Sequence, residues 1–473
     1  MIETRMIING TSRESQQLVD VLNPATEQAF AHCHLSSLND LDDAVTAARN
    51  AFPAWAATSD EDRKAKLMEL ASLMETNMPE LMELVTKESG KPMGGLNGIG
   101  SGMEVGGAIA WIQATASLDL PVEVIQDDDA ARIEVHRKPL GVVGSITPWN
   151  WPLMIAIWHV MPALRTGNTV VIKPSPFTPV ATTRFFELAN EVLPAGVLNV
   201  LHGDAEIGAG MSSHDGINKM IFTGSTPTGK RIMEAASVNL KRLTLELGGN
   251  DAGIVLPGAD VAAIAPKLFG AGFHNNGQTC AALKRLYVHE SQYEEMCNAL
   301  AEQANNTVVG DGLDEASQLG PLQNAKQLAI VKSLLGSAIS NNARVVAGGN
   351  EIDGPGYFFE PTIVADQSDG DRLVDEEQFG PVMPVIKYSD IEDVIQRANN
   401  SASGLGGSVW SDDIEKAKEI ASRLECGTAW VNEHGGIQPN APFGGVKQSG
   451  FGVEFGSYGL EEYTSIQTLK IAK

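Results

Sequence analysis

The sequence predicts an α/β fold of two units, each built around a parallel sheet that helices cover. Between Leu140 and Gly249, short β-rich runs such as "NTVVIKPS" and "KMIFTGS" alternate with helical stretches such as "TPTGKRIMEAASV". The alternation begins again after Gly249, from "DAGIVL" to "MPVIKY". This order is typical of parallel sheets buried on both faces. Because ligands of such sheets bind beyond the carboxyl ends of the strands, functional residues are expected there.

The amino-terminal part is predicted to be helical. In "LDDAVTAARNAFPAWAA" apolar residues recur at helical spacing behind Asn39 and Asp40, which are candidate caps, and the pattern continues to Gly90 and Pro92. The glycine-rich "GGLNGIGSGMEVGGAIAWI" follows no strand and fits no GxGxxG register. It is therefore interpreted as a closely packed helix rather than a phosphate-binding loop.

Three segments read as exposed strands: "DLPVEVIQ", "ARIEVHRKPL" and the terminal "SIQTLKIAK". Extended ribbons of this kind usually pair with another strand, often in another subunit. They are the first indication of a homo-oligomer.

Charge and cysteine content exclude several classes of function. The net charge is -25, from 34 basic and 59 acidic residues, which disfavours nucleic acid and anionic membranes as partners. The four cysteines, Cys33, Cys280, Cys297 and Cys426, form neither a disulfide framework nor a CxxC metal pair. We find no signal-peptide pattern in "MIETRMIING" and no apolar run of about 18 residues. The expected location is the cytoplasm, where thiols stay reduced.

One of these cysteines stands in an unusual place. Cys280 lies in "NNGQTCAALKR", among small polar residues that suggest an exposed loop. A thiol with the ordinary pKa of about 8.5 is mostly protonated at neutral pH, but a helix N-terminus or a nearby donor favours the thiolate. The following "AAL" predicts a helical turn that could provide such an end. Taken alone, Cys280 is either a nucleophile or an incidental loop thiol.

Two polar residues at predicted strand ends complement this cysteine. Glu246 interrupts the buried strand "LTLELGGN", where it is either a capped structural acid or a general base with a raised pKa. Asn150 follows a strand in "TPWNWP" and is either a turn residue or an oxyanion donor. The stripe of Trp151, Ile155 and Trp158 is either core or the wall of a substrate tunnel.

A third feature suits a dinucleotide. In "FTGSTPTGK", Gly224 and Gly229 stand at a strand-to-helix turn, where backbone N–H groups bind pyrophosphate, although a lone glycine pair is nonspecific. Lys173 ends an earlier strand and could bind an adenosine ribose or could simply be a solvated lysine.

The motifs "TPWNWP", "VVIKPS", "FTGSTPTGK", "LELGGN", "GQTC", "EEQFGPV" and "PFGGVKQSGFGVEFG", in this order, resemble the aldehyde dehydrogenase superfamily in its NAD(P)-dependent, hydrolytic branch. The resemblance implies that Cys280 attacks the aldehyde, that its own N–H and the Asn150 amide hold the oxyanion, and that Glu246 activates water to release the acid. Glu454 resembles an acid near the water path, with a surface glutamate as the alternative. No metal is expected.

The resemblance also assigns the cofactor-binding residues. Glu377 and Phe379 would contact the nicotinamide ribose and ring, Gly224 and Ser225 the pyrophosphate, and Lys173 the adenosine ribose. The remaining cofactor-binding expectations are Trp149, Ser175, Gly229 and Leu247. Many NAD-preferring members have Glu in K-P-x-E, where this chain has Pro176. NAD is still favoured, and NADP is possible.

The expected architecture is a Rossmann-type cofactor domain, a second α/β catalytic domain and a small β oligomerisation arm, in a homodimer or homotetramer. The cofactor domain comprises residues 1–118 and 140–247, the catalytic domain residues 248–445, and the arm residues 119–139 and 446–473.

Other functions were weighed. A CoA-acylating or semialdehyde-specific dehydrogenase is the nearest alternative, although CoA-acylating members generally lack the acid that Glu246 represents. A cysteine hydrolase and a non-catalytic binding protein are more distant.

The substrate is expected to be an aliphatic or aromatic aldehyde. The predicted tunnel residues are apolar, and Phe273 and residues 432–443 are expected nearby. Arg285 and His434 remain candidates for binding a carboxylate, and His274 is a candidate acid or base.

Overall fold

The computed structural model describes residues 1–473, and it is a mixed α/β structure. The strands are β1 (Ile2–Thr4), β2 (Met6–Ile8), β3 (Thr11–Arg13), β4 (Leu18–Asn23), β5 (Gln28–His34), β6 (Glu123–Asp127), β7 (Ala131–Pro139), β8 (Val142–Ile146), β9 (Thr169–Lys173), β10 (Leu198–Val200), β11 (Lys219–Thr223), β12 (Arg242–Glu246), β13 (Asp251–Val255), β14 (Leu283–His289), β15 (Arg344–Ala347), β16 (Thr362–Gln367), β17 (Val382–Tyr388), β18 (Ser403–Gly404), β19 (Gly406–Trp410), β20 (Thr428–Val431), β21 (Val446–Lys447), β22 (Gly450–Phe451) and β23 (Thr464–Ala472). The helices are α1 (Leu38–Ala56), α2 (Asp60–Thr76), α3 (Met78–Ser89), α4 (Ser101–Ser117), α5 (Pro152–Arg165), α6 (Val180–Val192), α7 (Ala205–Ser213), α8 (Thr226–Ala236), α9 (Val261–Phe273), α10 (Tyr293–Asn305), α11 (Ala325–Ser340), α12 (Arg372–Asp375), α13 (Ile391–Asn399), α14 (Ile414–Ala421) and α15 (Gly456–Glu461).

The first sheet has eight strands in the order β22-β12-β11-β8-β9-β10-β2-β3. Its central strands, from β12 to β10, run parallel, and β22 and β2 extend it in antiparallel fashion. Every residue of β8, β9 and β11 is buried, which explains their continuous apolar runs. The predicted Rossmann-type sheet is confirmed.

The second sheet has seven strands in the order β15-β16-β17-β14-β13-β19-β20. All neighbours pair in parallel except β15, which is an antiparallel edge strand. The second predicted α/β unit is therefore present.

A third, antiparallel sheet has the order β23-β7-β6. The terminal strand pairs with β7 along its whole length, from Thr464 with Pro139 to Ala472 with Ala131. The exposed ribbons therefore find partners within one chain, whereas the sequence pattern had suggested another subunit. The first part of the predicted arm segment 446–473 does not join this sheet. Its strand β22 pairs with β12 instead and places Gly450 opposite Glu246.

The amino-terminal helices match the prediction with two differences. Ser37 caps α1, where Asn39 or Asp40 was expected: the Ser37 hydroxyl accepts the Asp40 N–H and the Asp40 carboxylate accepts the Ser37 N–H. The glycine-rich segment is helical only from Ser101, because residues 94–100 form turns and a bridge. No helix combines the length and hydropathy needed to cross a bilayer.

Candidate active site

The loop that carries Cys280 differs from its sequence-based description. Gln278 and Thr279 are buried and Cys280 is half-buried, so the stretch is not an exposed loop. Asn275 and Asn276 adopt φ values of 51° and 58°, a left-handed conformation that asparagine tolerates better than most residues. The polar residues of this stretch form a tight buried turn.

The helical turn predicted after Cys280 is wrong. The chain turns at Cys280 and Ala281, and β14 begins at Leu283. Although alanine and leucine favour helices, β14 pairs with both β13 and β17, and this tertiary pairing overrides local propensity. No helix N-terminus follows the thiol.

Asn150 connects the first sheet to the Cys280 loop. It lies between β8 and α5, and its side-chain Nδ2 donates to the carbonyl of Gln278 at 2.9 Å. Its own carbonyl accepts hydrogen bonds from Lys91 Nζ and Asn275 Nδ2, both at 3.0 Å. An amide nitrogen has two hydrogens, so the side chain keeps one donor for another acceptor.

Glu246 ends β12 with 4% of its surface exposed, and neither carboxylate oxygen has a hydrogen-bond partner. Burial raises its pKa well above the ordinary range, and the neighbouring Glu454 raises it further. The pKa of Glu454 is likewise raised by burial, to about 8. Glu454 is therefore a buried neighbour of Glu246, and the surface alternative is wrong. Its Oε1 lies 3.4 Å from Nε2 of His159.

The surroundings of Cys280 favour its protonated thiol form. Burial raises its pKa to about 12, Lys284 opposes the shift, and the carboxylates of Glu246 and Asp251 add to it. Lys284 also donates to the carbonyls of Gly249 at 2.8 Å and Cys280 at 2.6 Å. Sequence reasoning missed Lys284, although a lysine at the start of a strand buried on both faces is a detectable signal.

Cys280 opens into a cavity of about 740 Å³. The three predicted tunnel residues, Trp151, Ile155 and Trp158, all line it. Trp111 and Trp410, which the sequence analysis missed, also line it. The cavity has few charged groups, with Lys267 and Glu433 among its lining residues.

Several residues expected near the substrate occupy different places. Phe273 is in the core, where it stacks on Phe269 with ring centroids 4.4 Å apart. Arg285 donates to the carbonyls of Asn250 and Ala398 and does not line the cavity. His274 and residues 432–437 do line it, including His434.

The residues expected at a dinucleotide fit such a group. Ser225 caps α8 only by position, because its side chain accepts no N–H of the first turn, and the residue is exposed. An open helix N-terminus following β11 suits a pyrophosphate. Helix α8 packs closely against Leu247 at Gly229, because a Cβ on Gly229 would lie 2.6 Å from Leu247 Cδ2. Gly224 allows the turn itself and is half-buried.

The other cofactor candidates lie at two further strand ends. Lys173 is buried and donates to the carbonyls of Pro174 and Gly203, so it is not a solvated lysine. Trp149 and Phe379 meet edge to face, with ring centroids 5.4 Å apart. Glu377 accepts hydrogen bonds from Gly249 N and Lys284 Nζ. Ser175 is buried beside Lys173.

Comparisons with known proteins agree with this geometry. Residues 11–469 match the model of the aldehyde dehydrogenase family. The chain is 39% identical to phenylacetaldehyde dehydrogenase of Pseudomonas fluorescens over 99% of this chain and 96% of that protein. It is 38% identical to retinal dehydrogenase 2 of Gallus gallus over 99% of this chain and 92% of that protein. An NAD⁺ complex of aldehyde dehydrogenase from Bacillus cereus superposes with a TM-score of 0.96 at 36% identity, over 99% of this chain and 96% of that one.

The two parallel-sheet units and these relatives together identify a dinucleotide-dependent oxidoreductase. The chain belongs to the aldehyde dehydrogenase family. It oxidises an aldehyde with NAD or NADP as the electron acceptor.

Proposed function

We propose that the protein converts an aldehyde to a carboxylate through a thiohemiacetal and a thioester on Cys280. The observation that carries this proposal is the hydrogen bond from Asn150 to the Cys280 loop. The buried acid Glu246, whose two carboxyl oxygens have no hydrogen-bond partner, supports it. The presence of Glu246 favours water over a thiol as the final acceptor. It therefore disfavours the CoA-acylating alternative.

In the first step the thiol gives its proton to solvent water in the cavity, and its sulfur bonds to the carbonyl carbon as the carbonyl π bond breaks. The carbonyl oxygen becomes an oxyanion that accepts hydrogen bonds from the free Asn150 N–H and from the N–H of Cys280, which donates to no group in the chain. Fixed donors stabilise this charge without reorganisation. Ser225, Lys173, Glu377 and the residues around them would hold NAD(P), which would supply the acceptor for the hydride that leaves the thiohemiacetal carbon.

In the second step Glu246 takes a proton from water as the water oxygen bonds to the thioester carbon. The carbon–sulfur bond breaks, the acid leaves, and the sulfur regains a proton. Glu246 suits this role because its oxygens have no competing hydrogen bonds. It must be ionised to act, although burial favours its protonated form.

We expect Cys280→Ser to abolish aldehyde-dependent NAD(P)H formation, because a serine hydroxyl is a much weaker nucleophile at neutral pH. Asn150→Ala should lower kcat by about 10²- to 10³-fold, the usual cost of one oxyanion donor. Absorbance of the reduced nicotinamide measures both effects.

The matched control for both variants is dinucleotide binding, followed by protein fluorescence. It should be retained in Cys280→Ser. Full turnover by that variant would refute covalent catalysis by Cys280. Hydrolysis of an ester by the unmodified protein, together with no NAD(P)H formation from any aldehyde, would indicate a hydrolase.

The rate should fall at acidic pH, with a midpoint above the ordinary carboxyl pKa. Burial raises the pKa of Glu246, so the acid is protonated, and unable to take a proton from water, over a wider pH range. Because Glu454 raises that pKa further, Glu454→Gln should move the acidic limb of the kcat profile to lower pH. A stopped-flow or steady-state pH series measures the midpoint.

Glu415→Gln is the control for this shift, because the Glu415 side chain is 82% exposed on α14. It should leave the profile unchanged. An acidic limb that stays in place in Glu454→Gln would show that Glu454 does not act on the catalytic base.

The substrate class is proposed to be apolar aldehydes, aliphatic or aromatic. The supporting observation is the cavity wall of Trp111, Trp151 and Trp158, with no arginine among the lining residues. The value of kcat/KM should rise from acetaldehyde to octanal and benzaldehyde, since each buried methylene contributes about 0.8 kcal/mol. Trp158→Ala should lower the value for octanal more than that for acetaldehyde. A preference for succinate semialdehyde would contradict this proposal.

NAD is the proposed cofactor, as it is in the complex of the Bacillus cereus relative. Pro176 carries no charge that would bind or repel a 2′-phosphate, so the preference should be modest. The ratio of kcat/KM for NAD and NADP measures it.

We also propose a cytoplasmic homodimer or homotetramer. The four cysteines are free, which suits a reducing compartment. Both edges of the arm sheet are unpaired, and Ile125 and Ile466 on them are about 62% and 61% exposed. Such edges are usually covered in a native assembly, and light scattering determines its size.

A further inference from the structure

A fully buried ion pair lies behind the candidate active site. Lys91 follows α3 and Glu104 lies in the first turn of α4, and both side chains are 0% exposed. Their charged groups are in direct contact. Neither residue belongs to the groups that contact substrate or cofactor in the mechanism above.

Lys91 reaches the residues that precede α5. Its Nζ donates to the carbonyl of Asn150 at 3.0 Å and lies 3.3 Å from the centroid of the Trp151 ring. The ammonium thus contacts the backbone of the proposed oxyanion donor and the face of a cavity-lining indole. A cation over an indole face is attracted by the ring quadrupole, most strongly where water is excluded.

Glu104 holds the helix that follows. Its Oε1 accepts the N–H groups of Leu153 at 3.0 Å and Met154 at 3.2 Å, in the first turn of α5. A carboxylate at this position satisfies otherwise unpaired donors and interacts favourably with the helix dipole. Since α5 carries Ile155 and Trp158, the pair contacts both the donor and the start of the cavity wall.

The backbone of Asn150 is therefore held from two sides. Lys91 binds its carbonyl from the amino-terminal helices, and Asn275 binds the same oxygen from the Cys280 loop. Without Lys91, only Asn275 of the Cys280 loop would bind the Asn150 carbonyl. The Asn150 amide would then lose its fixed position relative to that loop. A shift of about 1 Å in such a group can lower a rate by about 10²-fold.

Stability alone does not explain this pair. Buried ion pairs are often no more stabilising than apolar residues of similar volume, because two charges must be desolvated. Burial lowers the pKa of Lys91 to about 8, which is the sign of that cost. The hydrogen bonds to Asn150 and α5 are specific, in contrast, and an apolar replacement would lose them.

We propose that Lys91 and Glu104 are positioning residues for aldehyde oxidation: together they set the distance between the Asn150 amide and the Cys280 sulfur. This inference rests on the proposed function, in which Asn150 stabilises the oxyanion.

The test is a double-mutant cycle between the pair and Asn150. The pair variant is Lys91→Met with Glu104→Gln, which removes both charges, nearly preserves volume and keeps an acceptor for the first turn of α5. It should lower kcat/KM for the aldehyde by about tenfold or more and leave the Kd for the dinucleotide unchanged. In an Asn150→Ala background the same change should cost less than about twofold, because the group being positioned is gone.

The control is an ion pair at the other end of α5, between buried Arg165 and Asp60 of α2, whose side chain is 41% exposed. Arg165 in the last turn of α5 is 0% exposed and binds Asp60. Arg165→Met with Asp60→Asn should lower Tm without lowering kcat/KM, and its effect should be the same with and without Asn150. If the double pair variant does not fold, Glu104→Gln alone, which keeps the volume and one acceptor, enters the same cycle.

The outcomes distinguish failure of the positioning role from failure of the oxyanion role of Asn150. Multiplicative losses from the pair and Asn150→Ala would overturn the positioning role, as would a loss equal to that of the Arg165 control. Wild-type turnover by Asn150→Ala would refute the oxyanion role in the proposed function itself. A loss from the pair that disappears in the Asn150→Ala background supports the inference.

Discussion

Burial of titratable side chains at the junction of the two parallel sheets is the constraint on which the rest of the site depends. Burial is the largest cause that raises the pKa of Cys280 to about 12 and the pKa of Glu246 well above its ordinary range, so it favours the neutral form of both the nucleophile and the proposed base. Two buried cations, Lys91 and Lys284, donate to the backbone carbonyls of Asn150 and Gly249. Each cation is also paired with a carboxylate, Lys91 with Glu104 and Lys284 with Glu377. Fixed dipoles and cations in a dry site interact more strongly with a developing negative charge than they would in water.

Buried glutamates from the amino-terminal helices connect this junction to the rest of the fold. Glu88 in α3 accepts the N–H groups of Val180 and Ala181 at the start of α6, just as Glu104 does at the start of α5. The carboxyl-terminal segment enters from the other side. Gly450 makes that approach possible, since a Cβ there would lie 1.7 Å from the carbonyl of Leu245, and its φ of 122° is readily adopted only by glycine. The segment after this contact brings Glu454 to Glu246.

The parts of the molecule that the sequence predicts well are those governed by local pattern. Alternating β-rich runs and helical stretches identify both sheets. Glu246 stands out because it interrupts a buried strand, Asn150 because it follows a strand end, and Cys280 because small polar residues surround it. Long-range pairing is less visible. The helical turn expected after Cys280 is replaced by β14, since its neighbours in the second sheet outweigh the helix propensity of Ala281. The sequence does not predict the ion pair of Lys91 and Glu104. The two residues are 13 positions apart, and only the packing of α3 and α4 brings them into contact.

Burial of the site also favours the proposed reaction in the direction of aldehyde oxidation. An aldehyde is neutral and loses little hydration energy on entering a cavity walled by Trp111, Trp151 and Trp158. The carboxylate product is an anion, and no arginine among the lining residues compensates its desolvation. It forms beside Glu246, which has just accepted a proton from water, and beside Glu454; as either acid ionises, the like charge disfavours retention of the product. A site whose burial favours the neutral form of its own acids therefore binds the neutral substrate more favourably than the charged product, and ionisation of those acids would promote product release.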